Sequence, residues 1–169
     1  MNIRKILIAG AMTAAAVPMP ANAAPIAATT DASGKALILI PLTLTKIDDL
    51  DFGSVIPSSS SGTISIAADG SGQSVTGGVT PLASVPGARA LFAGAGSMGE
   101  GVSIFLAPPP SLSDGAGHNM PISLGLESTS VTIDATRAFF VGVGGTVTVG
   151  ANQAEGLYSG TFTVLAQYN

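Results

Sequence analysis

The sequence contains no cysteine, no tryptophan and one histidine in 169 residues, and only 9% of its positions are charged. A typical soluble domain is about 25% charged. Without cysteine there is no disulfide, no thiol nucleophile and no zinc–thiolate centre. The cations are Arg4, Lys5, Lys35, Lys46, Arg89 and Arg137, against ten carboxylates, for a net charge of −4. So few cations cannot form the positive stripe that nucleic acid requires, and no nucleic-acid partner is expected. Scarce charge also excludes an acidic or basic tail, a coiled coil and the polar disordered chain. The apolar stretch from Ile6 to Val17 falls short of the roughly 20 residues a spanning helix needs. No later stretch is long and apolar enough either, so no transmembrane segment is expected in the mature chain.

Arg4 and Lys5, the apolar stretch behind them and Ala21-Asn22-Ala23 form the three parts of a secretory signal. Residues 1–23 are therefore expected to be cut before Ala24. This places the protein across the inner membrane, in the periplasm, at the cell surface or outside. Loss of Arg4 and Lys5 leaves four cations against the ten carboxylates. Residues 24–35 form a polar leader and residues 36–169 a single domain, long enough to bury a core without disulfides.

The composition includes 22 glycines and 11 prolines with no collagen-like period. Between them, apolar and small polar residues alternate in short runs, the pattern of an all-β sandwich. Strands are expected over Ala36–Thr45, Leu50–Val55, Gly62–Ala68, Ala88–Ala93, Gly101–Ala107, Pro121–Leu126, Ser130–Ala135, Ala138–Val143, Thr146–Val149 and from Leu157 to the end. Gly70–Gly78 and Asp114–Met120 read as loops. In the first strand Ile38, Ile40, Leu42 and Leu44 share one face, and Pro41 removes a ladder donor, which suits an edge or a bend. Gly62–Ala68 puts Ile64 and Ile66 inward. The last strand has the cleanest pattern: Tyr158, Phe162, Val164, Ala166 and Tyr168 fall on one face, while Leu165 breaks the polar face. A terminal strand of this kind must be paired on both edges or covered, or it becomes an association site.

Leu50-Asp51-Phe52-Gly53, the run Val141 to Val149 and the stretch Gly156 to Val164 together resemble the bacterial domain-of-unknown-function 4402 family, whose members are exported. The resemblance spans roughly Pro41 to Asn169. The same ending is similar to subunits of chaperone-usher fimbriae, where a glycine and a penultimate tyrosine flank the strand paired by a periplasmic chaperone. Here those positions are Gly156 and Tyr168. Such subunits usually carry a disulfide, which this chain lacks. The fold implied is an Ig-like or pilin-like sandwich, with a chaperone or copies of the chain as partners. A donor segment would be Ile38, Ile40, Leu42 and Leu44, because an exposed sheet edge accepts an extended apolar strand.

Several strings invite a chemical reading. Gly94 to Gly99 matches a dinucleotide fingerprint, yet strand pattern follows where a helix would have to begin. His118 with Asp114 four residues earlier lies in a glycine-rich loop, without a nucleophile elbow. Asp48, Asp49 and Asp51 could supply oxygens to calcium but lack the glycine and distal glutamate of a known loop. Sugar stacking needs exposed aromatic rings, and both tyrosines sit on the apolar face of the last strand. The expectation is an exported, non-enzymatic structural or surface protein without cofactor or metal, resembling a fimbrial subunit and associating by strand pairing, with a role in adhesion within its scope. The alternative is a monomeric module that binds glycan or calcium through the Asp48–Asp51 or Gly115–Asn119 loops.

Overall fold

Alternating apolar and small polar residues, interrupted by glycine and proline, fold this chain into ten β-strands. They are β1 Thr43–Asp48, β2 Val55–Ile66, β3 Gln73–Pro81, β4 Ala90–Ala95, β5 Gly101–Ala107, β6 Ser111–Ser113, β7 Asn119–Leu126, β8 Ser130–Thr132, β9 Ala138–Val149 and β10 Thr163–Tyr168. The structure is a computed structural model that describes residues 32–169, and residues 37–169 form one compact unit. The expected signal sequence, residues 1–23, and most of the leader lie outside the described residues. Among the described residues there is no helix, and none is long and apolar enough to cross a membrane.

The strands make two antiparallel sheets, and the domain is a β-sandwich. The larger follows the order β1-β4-β9-β2-β3, with β7 also on β9 and β6 on β7; the smaller is β10-β5-β8. Strand β9 organises the larger sheet. It pairs with β4 through Ala138–Val143, with β7 through Val143–Val147 and with β2 through Gly145–Val149. Because β7 and β2 share Gly145, Thr146 and Val147 as partners, they lie on opposite edges of β9.

Several boundaries differ from the sequence expectation. The two strands expected at Ala138–Val143 and Thr146–Val149 are one, because Gly144 does not end a strand but admits a close neighbour. A Cβ there would lie 2.3 Å from the Ile66 carbonyl oxygen. Gly70–Gly78, read as a loop, contributes most of β3, whose partner β2 shifts register between Pro57 and Gly62 to accommodate it. The first strand begins at Thr43 rather than Ala36, beyond the donor that Pro41 lacks. Of the expected strand Leu50–Val55, Val55 opens β2 and the rest is a turn that meets β4's approach through the Asp51–Ala88 bridge and a hydrogen bond from the Ser54 amide to the Val85 carbonyl. The final strand starts at Thr163; the burial alternation expected from Tyr158 to Tyr168 holds from Phe162 onward and is broken at Gly160, which is exposed. Gly101–Ala107 is the strand expected, and Ile64 and Ile66 are buried as expected.

Two apolar clusters fill the interior. One gathers Val102 and Ile104 of β5, Ile133, and Phe139 and Val141 of β9, with Leu42, Leu44, Val164, Ala166 and Tyr168 packed around them. The other gathers Ile64, Val79, Val147 and Val149, flanked by Phe52, Val55, Leu112 and Met120. Each fully buried valine or isoleucine contributes roughly 1.5–3 kcal/mol relative to exposure. The smaller sheet supplies side chains to the first cluster only. It therefore covers one half of the larger sheet and leaves the other half to loops.

Candidate functional site

Over the uncovered half lies a groove of about 810 Å³. Its floor is the apolar face of β2, β7 and β9, with Ile64, Leu124, Val147 and Val149 among its residues. One wall is the turn Asp49–Ser54 and the other is the segment 153–160 that leads from β9 towards β10. Local chemistry shapes both walls. In the first, the Gly53 amide donates to Asp51 Oδ1 at 2.7 Å, and the Asp51 backbone pairs with Ala88 at 2.9 and 2.8 Å. Gly53 has φ of 74°, the left-handed region that glycine adopts at no steric cost. That turn sends Phe52 inward against the second cluster.

In the second wall, the Tyr158 hydroxyl donates to the Ala154 carbonyl at 2.9 Å and accepts from Gln153 Nε2 at 2.8 Å. Ser159 exchanges two backbone hydrogen bonds with Ser113 at 2.9 Å each. Gly156 is exposed, and Leu157, 88% exposed, stands at the lip. Phe162 closes this end and meets Phe92 edge to face, with ring centroids 6.2 Å apart. The lining includes the carboxylates Asp49, Asp51 and Glu155 but no lysine, arginine or histidine. Asp49 is paired with Lys46, whereas neither Asp51 nor Glu155 has an ion-pair partner among the described residues.

Beyond Phe162 the chain becomes β10, and its hydrogen-bonding direction can be worked out from one end. The Asn169 amide donates to the Gly101 carbonyl at 3.0 Å, and Ile104 on β5 donates to Thr129 on the opposite side at 2.8 Å. Antiparallel strands alternate the side to which backbone groups point. With Gln167 opposite Ser103 and Leu165 opposite Phe105, the odd residues of β10 bond to β5. Val164, Ala166 and Tyr168 therefore turn their amides and carbonyls to the open edge, while their side chains remain in the first cluster. On the outer face, Leu165 and Phe105 sit directly opposite each other, 58% and 49% exposed.

The structure separates the expected donor residues. Leu42 and Leu44 are half-buried against the first cluster, whereas Ile38 and Ile40 are exposed. The other strings do not converge on a chemical centre. Gly94 to Gly99 spans the end of β4 and the turn into β5. The Asp114–His118 pair closes the β6–β7 turn: Asp114 Oδ1 accepts from the amides of Ala116 at 2.8 Å and His118 at 3.0 Å. The hydrogen bond from the His118 ring holds the Asp114 carboxyl below the usual carboxylate range, and desolvation opposes it. Asp134 and Asp69 are lowered likewise, by hydrogen bonds from Thr136 and Ser71. Among the described residues, no group of three or more histidine, aspartate or glutamate side chains gathers around a point that could hold a metal.

A family model, that of a domain of unknown function (DUF4402), matches residues 42–168. The chain belongs to this family. The match takes in both the Asp51–Gly53 turn and the whole of β10, so this DUF4402 domain coincides with nearly all of the sandwich. No curated protein and no solved structure matches the chain. The groove was not foreseen from the sequence. Its only local signal was Leu50-Asp51-Phe52-Gly53, whose glycine marks the turn that forms one wall.

Proposed function

We propose that the protein is an exported, non-enzymatic structural or surface protein that associates by adding a strand to the open edge of β10. The observation that carries this is the absence of protection along that edge among the described residues. Natural sheets guard their edges with charge, proline, bulges or brevity. Strand β1 carries Lys46, Asp48 and a register shift. Strand β3 ends in Pro81 and faces the register shift of β2. Strands β6 and β8 are three residues each. Strand β10 is six residues of Thr-Val-Leu-Ala-Gln-Tyr with none of these devices. The partner is another copy of the chain or a periplasmic chaperone.

Sedimentation velocity of the protein and of Ala166→Pro tests this. Proline fits an edge strand where its missing amide faces outward, and Ala166 is such a position. The variant should fold and lose association by about tenfold or more. An Ala166→Pro protein that associates as the parent does would exclude the β10 edge as the joining surface.

A further inference from the structure

The smaller sheet carries no charge. No lysine, arginine, histidine, aspartate or glutamate lies on β5, β8 or β10, although carboxylates outnumber cations in the chain as a whole. Two copies of an acidic chain therefore meet along these strands without like charges facing each other. The outer face of β10 and β5 presents the polar Thr163, Gln167 and Ser103, and its two large apolar side chains are the opposed Leu165 and Phe105. At the edge beside them, Val164, Ala166 and Tyr168 have no backbone partner among the described residues.

We propose that β10 pairs antiparallel with β10 of a second copy, in the register that sets Leu165 opposite its own counterpart, so that two smaller sheets become one sheet of six strands. This rests on the strand-addition function above and names its partner, direction and register. Parity does most of the selection. In an antiparallel pair the bonded residues turn their backbone groups towards each other, so even residues of one β10 must meet even residues of the other. That excludes the full overlap, with Thr163 against Tyr168. Two registers keep five of the six strand residues paired, with the twofold axis at Leu165 or at Ala166. With the axis at Ala166, Leu165 faces the polar Gln167 of the copy. With the axis at Leu165, the two leucines face each other with Cβ atoms about 4.5–5.5 Å apart, and Phe105 of each copy extends the apolar stripe on either side. Val164 and Ala166 then exchange backbone hydrogen bonds with Ala166 and Val164 of the copy. The axis stands perpendicular to the sheet, so both outer faces lie on the same side. Such a contact is isologous and closes at two copies, building no filament.

Because the chain has no cysteine, single introduced thiols read the register directly. Leu165→Cys, Thr163→Cys and Gln167→Cys all lie at exposed positions, and each full-length variant is checked for folding by circular dichroism before mild oxidation. Leu165→Cys should form a covalent dimer at least about tenfold faster than either of the others alone. Directly opposed residues lie within the roughly 4.4–6.8 Å between Cα atoms that a disulfide allows, whereas Gln167 and its counterpart are offset by four residues, roughly 13 Å. An equal mixture of Thr163→Cys and Gln167→Cys should cross-link as a heterodimer, because those two positions face each other. In sedimentation velocity the parent should reach a dimer and nothing longer. Gln167→Cys cross-linking with itself as fast as Leu165→Cys overturns the proposal, as do assemblies larger than a dimer. If Ala166→Pro still abolishes association in that case, the β10 edge reading survives without this register. A parent that is monomeric at every concentration overturns self-pairing and leaves the chaperone as the strand that joins the edge.

Discussion

The Tyr168 hydroxyl donates to the Ile40 carbonyl at 2.9 Å, joining the second residue from the end to the segment that precedes the first strand. The same oxygen accepts from the Ser97 amide at 2.8 Å, so one phenol ties β10, the β4–β5 turn and the approach to β1. Its ring packs on the first apolar cluster. A penultimate tyrosine thus closes the sandwich and fixes where Leu37 and Ile38 emerge.

Tyr168→Phe should keep the packing and lose both hydrogen bonds. A typical hydrogen bond contributes about 1 kcal/mol, and a part-buried amide left unpaired costs more. We expect a loss of about 1–2 kcal/mol in denaturant unfolding, with faster hydrogen exchange at the Ser97 amide. Unchanged exchange there would show that the phenol does not hold the turn.

Gly53→Ala places a Cβ where φ is 74° and the Val85 carbonyl oxygen would be 2.6 Å away. That oxygen accepts from the Ser54 amide at 3.1 Å and is not free to retreat. The left-handed conformation alone costs a residue with a Cβ roughly 1–2 kcal/mol. Stability should fall by about 2 kcal/mol or more in denaturant unfolding. The groove wall should loosen too, read as faster exchange of the Gly53 and Ser54 amides.

Acid should weaken the β6–β7 turn. Asp114 is held below its ordinary range by His118, so its folded value lies under its unfolded one. A carboxyl of that kind stabilises the fold fully above the unfolded value near 4 and loses the contribution as pH falls through the folded value. Thermal stability should therefore be flat at neutral pH on this account and drop below about pH 4. Asp114→Asn should lower stability at neutral pH and narrow the gap to the parent as acid is added. A gap that widened in acid would reverse the assigned sign.

How far the sequence reached follows from what periodicity encodes. Side chains alternating in and out report burial, and Val164, Ala166 and Tyr168 are inward as the pattern required. Pairing is set by distant neighbours instead. The glycines at 144 and 145 look like a break, yet the strand passes through them because distant parts of the chain approach closely, Ile66 at Gly144 and Ser123 and Leu124 at Gly145. Gly77 and Gly78 look like a loop and lie in β3 for a similar reason, facing Ser60–Gly62 at close range. The groove was hidden because no local pattern states that a three-stranded sheet will cover only half of its partner.

That unequal cover separates two valines of the same burial. Val102 on β5 lies between the sheets, and Val147 on β9 lines the groove, at 0% and 1% exposure. Truncation costs the lost transfer free energy plus a term for the cavity that cannot collapse. Val102→Ala makes a closed void, whereas Val147→Ala only enlarges a space that already opens outward. The first should cost about 2–3 kcal/mol and the second about 1 kcal/mol less. Enlargement should show the reverse tolerance. Val102→Ile forces a methyl into a filled layer, for which overpacking typically costs about 1–3 kcal/mol, while Val147→Ile, beside the groove, should cost less. Denaturant unfolding of the four variants decides the matter, since equal costs at both sites would mean that the groove half is packed as tightly as the covered half.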